Sequence, residues 1–266
     1  MEKEYDKKLQ YFVKAVCEEQ PEIIALQEVN QSCNAMEVPL EELIGYYPCD
    51  AGVVVREDNH VWNIVKQLRQ KGVRYYFTWL PIKKGYDKYD EGLAIMSRCP
   101  IAMTDVLLVS NINDYNNWKT RKILGICTEG KEKEWFYSVH YGWWSDKEEP
   151  FSEQWKKTDA YMERYDTVWL LGDFNSPAQV RHEGYDMIAR CAWEDSFLLA
   201  EEKDSGITVG SVIDGWKEKI TDTDGMRIDQ IWCNRKIQVK RTSVVFNGEK
   251  YPVVSDHYGV IIEVAE

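Results

Sequence analysis

What this chain lacks narrows its class before any motif is read. No apolar run approaches the ~18 residues that carry a helix across a bilayer. The seven cysteines, at 17, 33, 49, 99, 127, 191 and 233, form no CxxC pair, and their count is odd. That usage argues against a disulfide framework or a zinc site and predicts reduced thiols in a cytoplasm. The Met1–Asp6 stretch is charged and has no signal-peptide core. Positive charge is short, with 33 Lys and Arg against 45 Asp and Glu and a net charge of -12. A protein that holds nucleic acid by bulk electrostatics is therefore disfavoured. A metal-dependent enzyme acting on phosphates is not, because a bound divalent cation supplies positive charge locally. Linkers, low-complexity tracts and internal repeats are also missing, so the expectation is a single domain over residues 1–266.

What is present reads as a globular α+β chain, with hydrophobic content of 44% and charged content of 29%. A helix is predicted over 5–19, with Leu9, Phe12, Val13 and Val16 on one stripe and Pro21 beyond its end. A second covers 58–71, where Asp58 or Asn59 can cap it, Val61, Val65 and Leu68 form the stripe, and Gly72 stops it. A third starts after Pro150 and covers 151–165. Strand-like runs lie at 23–26, 75–79, 93–96, 106–109, 123–127, 135–139, 168–171, 228–232, 239–246 and 260–264. Many strands with few helices imply two sheets packed face to face, with the helices outside.

The chemistry-bearing residues cluster where these apolar runs end. The run Val168–Leu171 passes through Gly172 to Asp173 and Asn175. In an extended segment, residues two apart share a side, so this carboxylate and amide should face one pocket. Asp, Asn, Gly and Pro also make an ordinary turn, and alone the segment decides nothing. It is not alone. Ile23–Leu26 ends at Glu28, Trp135–Val139 at His140, and Val253-Val254-Ser255 leads into Asp256 and His257. Of only four histidines, two follow such strands. Asp229 sits among Ile228, Ile231 and Trp232, where an unpaired carboxylate is costly. It either faces outward or orients a histidine. Glu91 has the same character at the start of its strand.

Five of these segments together resemble the endonuclease/exonuclease/phosphatase family, in its deoxyribonuclease and sphingomyelinase branch. They are Ile24-Ala25-Leu26-Gln27-Glu28-Val29, Ser138-Val139-His140, Leu171-Gly172-Asp173-Phe174-Asn175, Arg227-Ile228-Asp229-Gln230-Ile231 and Ser255-Asp256-His257-Tyr258-Gly259-Val260. The resemblance implies a four-layer α/β/β/α sandwich of two mainly antiparallel sheets. It implies Glu28 as the glutamate that binds Mg²⁺, with Mn²⁺ as a substitute, and Asp256 as a second contact to the metal. Asp173 and Asn175 would position the attacking water and a phosphoryl oxygen. His257 would stand at the scissile phosphate, held by Asp229. His140 would be the second histidine, with Glu91 as its partner, and Arg121 would contact the substrate phosphate.

One family element is absent. The family pattern begins with a strand carrying an Asn before the first helix, whereas here the 5–19 helix follows Met1 almost at once. Either the chain was cut or its start misassigned, or the protein lacks the element; without that strand, exposed backbone edges and weak metal occupancy are expected.

The substrate stays open at this level. The eleven tryptophans include Trp143, Trp144 and Trp216, which either rim the site as stacking platforms or fill core. The Lys83-Lys84 pair reads as solvated surface. The leading expectation is a divalent-metal-dependent phosphodiesterase using direct water attack. Its substrate would be a nucleic acid, a nucleotide or a phospholipid headgroup. The alternatives are a phosphomonoesterase on a nucleotide or inositol phosphate, or a catalytically impaired binding protein on the same scaffold.

Overall fold

The computed structural model describes residues 4–210 and 225–265. The first helix, α1 (Tyr5–Glu19), buries Leu9, Val13 and Val16, the stripe that the periodicity predicts. Next come β1 (Ile23–Ser32) and α2 (His60–Gln70). Asn59 is the cap of α2; its side-chain oxygen accepts from the Trp62 backbone N–H at 3.1 Å. Four strands follow in the next stretch: β2 (Tyr76–Gly85), β3 (Tyr89–Ser97), β4 (Ile101–Leu108) and β5 (Lys122–Thr128). Beyond them are β6 (Glu134–His140), α3 (Phe151–Met162), β7 (Thr167–Asp173) and α4 (Gly184–Ala189). The C-terminal part adds β8 (Glu194–Asp195), α5 (Ser196–Leu199), β9 (Glu202–Lys203), β10 (Asp229–Cys233), β11 (Val239–Val245) and β12 (Gly259–Val264). No helix among the described residues is long and apolar enough to cross a membrane. All seven cysteines are unpaired.

Several strands run further than their apolar runs. β1 continues past Leu26 to Ser32 because Asn30, Gln31 and Ser32 still pair with Glu91, Asp90 and Tyr89 of β3. Apolar residues mark only the covered part of a strand, while the backbone ladder extends into polar sequence. The pieces too short to show a period, α4, β8, α5 and β9, were not foreseen.

Three sheets form, with strand orders β1-β3-β2, β4-β5-β6-β7-β10-β8 and β12-β11-β9. The two three-stranded sheets lie over the six-stranded one. Leu80, Leu93 and Ile95 pack on Leu124 and Ile126 on one side. Val260 and Ile262 pack on Trp169 and Ile231 on the other. A single helix covers both three-stranded sheets. Leu9, Val13 and Val16 of α1 join the cluster over β1, β2 and β3. Phe12 stacks on Phe246 at 5.5 Å, and Ala15 packs with Tyr251 beyond β11. The small sheets are thus two halves of one layer. On the far face of the six-stranded sheet, Phe151, Trp155 and Met162 of α3 close an aromatic core with Tyr137, Tyr141 and Phe174. The order of layers is helix, split sheet, sheet, helix, the four-layer α+β sandwich expected.

The split lies between β1 and β12. No strand precedes α1 among the described residues. β1 pairs only with β3, and β12 only with β11. Their other edges line a common cleft of about 2270 Å³, roofed in part by α1 and floored by β7 and β10. Ile24, Leu26, Leu171, Val260 and Ile262 are only half-buried there. Among the described residues these two strand edges stay unpaired, and the apolar side chains between them are half-covered.

Candidate active site

Strand register assembles the floor of the site. β6 and β7 are parallel and place His140 opposite Asp173. β7 and β10 are antiparallel and place Asp173 opposite Asp229. Residues directly opposite on neighbouring strands project from the same face. His140, Asp173 and Asp229, from three separated segments, therefore form one row facing the cleft. His257, in the turn before β12, completes it: its Nδ1 lies 3.0 Å from Asp229 Oδ2 and 3.2 Å from Oδ1. His140 Nε2 stands 3.6 Å from Asp173 Oδ2, too far for a hydrogen bond.

Asp173 is held from two sides by Asn175. Its Oδ1 accepts from the Asn175 backbone N–H at 2.7 Å, and its Oδ2 from the Asn175 side-chain amide at 3.2 Å. The same amide nitrogen also donates to the Tyr141 carbonyl at 2.9 Å, while Trp143 Nε1 donates to Asn175 Oδ1 at 2.9 Å. An amide has two hydrogens, and both are spent inside the protein. The expected contact of Asn175 with a phosphoryl oxygen would draw on one of these hydrogens, which here go to Asp173 and Tyr141. The approach to this pair requires a glycine. Gly172 has φ +144, and a Cβ there would meet the Val139 carbonyl oxygen at 2.2 Å.

Glu28 does not end its strand, as the apolar run suggested. It sits inside β1 at a bulge, where the register with β3 shifts between Leu26 and Val29 and Glu28 takes φ 51. A bulge re-aims the side chain it carries. Its neighbour Gln27 fixes the spacing of the layers: Gln27 Nε2 donates to Ser138 Oγ at 2.8 Å, and Ser138 Oγ donates to the Leu26 carbonyl at 3.0 Å. Asp256 is exposed and accepts from Ser255 Oγ at 3.0 Å. No group of three or more His, Cys, Asp or Glu among the described residues is arranged to hold a metal ion. Mg²⁺ asks for less, one or two carboxylates with water and substrate oxygens completing the shell. Glu28 and Asp256 fit that demand.

Glu91 is not the partner of His140. It lies opposite Lys83 in the β2–β3 register and is ion-paired with it, Lys83 Nζ to Glu91 Oε1 at 3.0 Å. Lys83 is accordingly not solvated surface; its side chain is 12% exposed. Sequence reasoning missed it because Lys83-Lys84 has no motif, although period two along β2 would have put only one of the pair on the site's face. Arg121 is buried, and its Nη1 donates to the Trp118 carbonyl at 3.3 Å. Of the tryptophans named from sequence, Trp143 braces Asn175, Trp144 packs against the core under α3, and Trp216 lies outside the described residues. Trp118, unremarked in the sequence, is the half-exposed ring beside Trp143, 5.7 Å between centroids.

The charges set the protonation of the row. Burial works against a charged His257, but the hydrogen bond to Asp229 and the charges of Asp229, Asp173 and Asp256 outweigh it and lift its pKa to about 10. His140 is driven the other way, well below its ordinary value, by burial and then by the charges of Arg121 and Lys83. Near neutral pH one histidine is a cation and the other a neutral ring. Burial, then the neighbouring charge of Asp229, pushes the Asp173 carboxyl well up. Crowding by protein and then the charge of Glu91 raise the Glu28 carboxyl, with Lys83 and His257 opposing. Water reaching Glu28 through the cleft limits that rise.

A sequence profile of the endonuclease/exonuclease/phosphatase family matches residues 4–257. Among curated proteins nothing matches. Solved structures do. A family protein from Leptotrichia buccalis is 27% identical with TM-score 0.86, covering 100% of this chain and 96% of its own. A Bacteroides thetaiotaomicron mannosyl-6-phosphatase is 16% identical with TM-score 0.65, covering 98% and 92%. A Neisseria 3′ phosphatase bound to a product DNA hairpin is 16% identical with TM-score 0.59, covering 97% and 95%. The last two likenesses concern the fold. The chain belongs to the endonuclease/exonuclease/phosphatase family, and with it to the phosphoester hydrolases.

Proposed function

We propose that this chain hydrolyses a phosphoester by direct attack of water, with Mg²⁺ or Mn²⁺ seated at Glu28 and Asp256. The row of His140, Asp173 and Asp229 with His257 at its end carries this reading, because it sets a basic carboxylate and a fixed cation side by side. A bound divalent cation would supply Lewis acidity to a phosphoryl oxygen. The rest falls to the chain's own side chains. Asp173, held by Asn175 and raised in basicity by burial, takes a proton from the attacking water. The water oxygen bonds to phosphorus as the ester P–O bond breaks. The leaving oxygen departs with that bond's electron pair and takes a proton from solvent. His257, kept charged by Asp229, stabilises the negative charge that grows on the phosphoryl oxygens. His140, neutral, offers a ring nitrogen to the same group without adding charge. Asp173, Asp229 and His140 on strands, with His257 tied to Asp229, keep this geometry better than loops alone would.

The test is hydrolysis of p-nitrophenyl phosphate and bis(p-nitrophenyl) phosphate, with each cation and after its removal by chelator. Metal-dependent turnover is expected, with His257→Ala and Asp173→Asn each lower by about 10²–10³. Absence of turnover on both esters, or full activity in both variants, would sink the reading.

A further inference from the structure

Two cations of this site answer to nothing in the reaction just described. Lys83 and Arg121 come from different elements, β2 and the start of β5, yet both donate to the same acceptor. Lys83 Nζ lies 3.4 Å and Arg121 Nη1 3.3 Å from the Trp118 carbonyl oxygen. One backbone oxygen is a weak counterweight for two positive charges. Lys83 has a second acceptor in Glu91 at 3.0 Å. Arg121 has no carboxylate within ion-pairing distance among the described residues, and its Nε is buried with no hydrogen-bond partner. A guanidinium carries five N–H donors, and a buried one left this short of acceptors is costly.

The neighbourhood shows the strain of bringing these charges together. Burial, then the charge of Arg121, disfavours the protonated form of Lys83. The charges of both cations reach His140 in the catalytic row. An anion seated between them would relieve the repulsion and satisfy the orphaned Nε. Trp118, whose carbonyl both cations touch, is 50% exposed. A dianion gains from both cations. A monoanion whose fourth position is esterified gains from fewer contacts and must fit a second substituent past Trp118.

We propose that Lys83, braced by Glu91 and set beside Arg121, forms a two-cation cradle that selects a terminal, doubly charged phosphate monoester over a diester. The proposal rests on the phosphoester-hydrolase reading of the same site. It names the ester class that reading leaves open, and it departs from the diester expected from sequence. Lys83 is then a specificity residue, and Glu91 positions it. The next residue, Lys84, alternates to the other face of β2 and has no part in this.

The experiment compares wild type with Lys83→Met, Lys83→Arg and Lys84→Met. The readouts are kcat/KM on p-nitrophenyl phosphate and on bis(p-nitrophenyl) phosphate, and calorimetric binding of inorganic phosphate to metal-free protein. Lys83→Met should lose about 10²-fold on the monoester and under about threefold on the diester. Its phosphate affinity should fall by about tenfold or more. Lys83→Arg should restore most of both, and Lys84→Met should change neither. An equal loss on the two esters overturns the proposal, as does unchanged phosphate binding in Lys83→Met. A wild type that cleaves the diester and not the monoester also overturns it, while leaving the reaction itself standing. If wild type cleaves neither ester, the reaction reading fails, and phosphate binding alone decides the role of Lys83. Should Lys83→Met melt early, Lys83→Arg and Glu91→Gln provide the same comparison, with Glu91→Gln weakening phosphate binding.

Discussion

The two walls of this site are built differently. The floor, with His140, Asp173 and Asp229, belongs to a continuous six-stranded sheet, in which Asp173 is paired on both flanks, with His140 on one side and Asp229 on the other. The opposite wall, with Glu28 and Asp256, belongs to a split layer whose strands β1 and β12 each leave one edge bare. On the floor Asp173 is held by Asn175, Asn175 by Tyr141 and Trp143, and Asp229 is tied to His257. Asp256 has only Ser255. The residues proposed to handle water and phosphate thus sit on a continuous sheet, while the proposed metal seat lies on a split one. Preorganisation is a property of the supporting backbone as much as of the residues named.

Stability should separate the two walls most sharply. Gly172→Ala forces a methyl against the Val139 carbonyl at 2.2 Å, at a φ that side chains resist. It should cost about 1–3 kcal/mol and several degrees of melting temperature. Ile262→Ala on the cleft wall removes a half-buried side chain and should cost less than the ~2–5 kcal/mol of a fully buried one. A larger loss for Ile262→Ala, read by thermal denaturation, would reverse the comparison.

Next in size is the charge state of the floor. Removing the Asp229 carboxylate by Asp229→Asn takes away the main support of the His257 cation and leaves burial to oppose it. The His257 titration, followed by NMR in metal-free protein, should fall from about 10 toward its ordinary value near 6.5 or below. The sign follows from linkage. A raised folded pKa stabilises the wild type fully below about 6.5, and that stability is lost as pH rises through about 10. Between those limits the wild type should therefore lose more stability with rising pH than Asp229→Asn does. An unmoved His257 titration would show that the 3.0 Å contact does not hold the proton.

The smallest effect concerns the bare edges. Amides of β1 that face away from β3, and those of β12 that face away from β11, should exchange with deuterium faster than amides of β6 and β7. Equal protection in all four strands would mean that the split layer is as firm as the floor.

Much of this was legible in the sequence, for a physical reason. Buried strands must be apolar, so they announce themselves. A polar residue where such a run gives out is exposed to chemistry and not to packing. That logic singled out Glu28, His140, Asp173, Asp229 and His257, which all line the cleft, and Asp229 does touch His257. It failed for residues whose role depends on a partner far along the chain. Glu91 was expected beside His140, but the register of β2 with β3 delivers it to Lys83. Asn175 was expected on the phosphate, but Tyr141 and Asp173 claim its hydrogens. Lys83 and Trp118 had no local signature at all.

The sequence by itself determined the apolar cores of the longer strands, the polar residues at their ends, and the family they form together, because periodicity and burial act over a few residues. Only the tertiary structure decided which of those residues meet. Register aligns His140, Asp173 and Asp229 in one row, a bulge turns Glu28 into the cleft, and one carbonyl oxygen gathers two cations. Such meetings are fixed by ladder bonds and packing between segments far apart in the chain, and no local pattern encodes them.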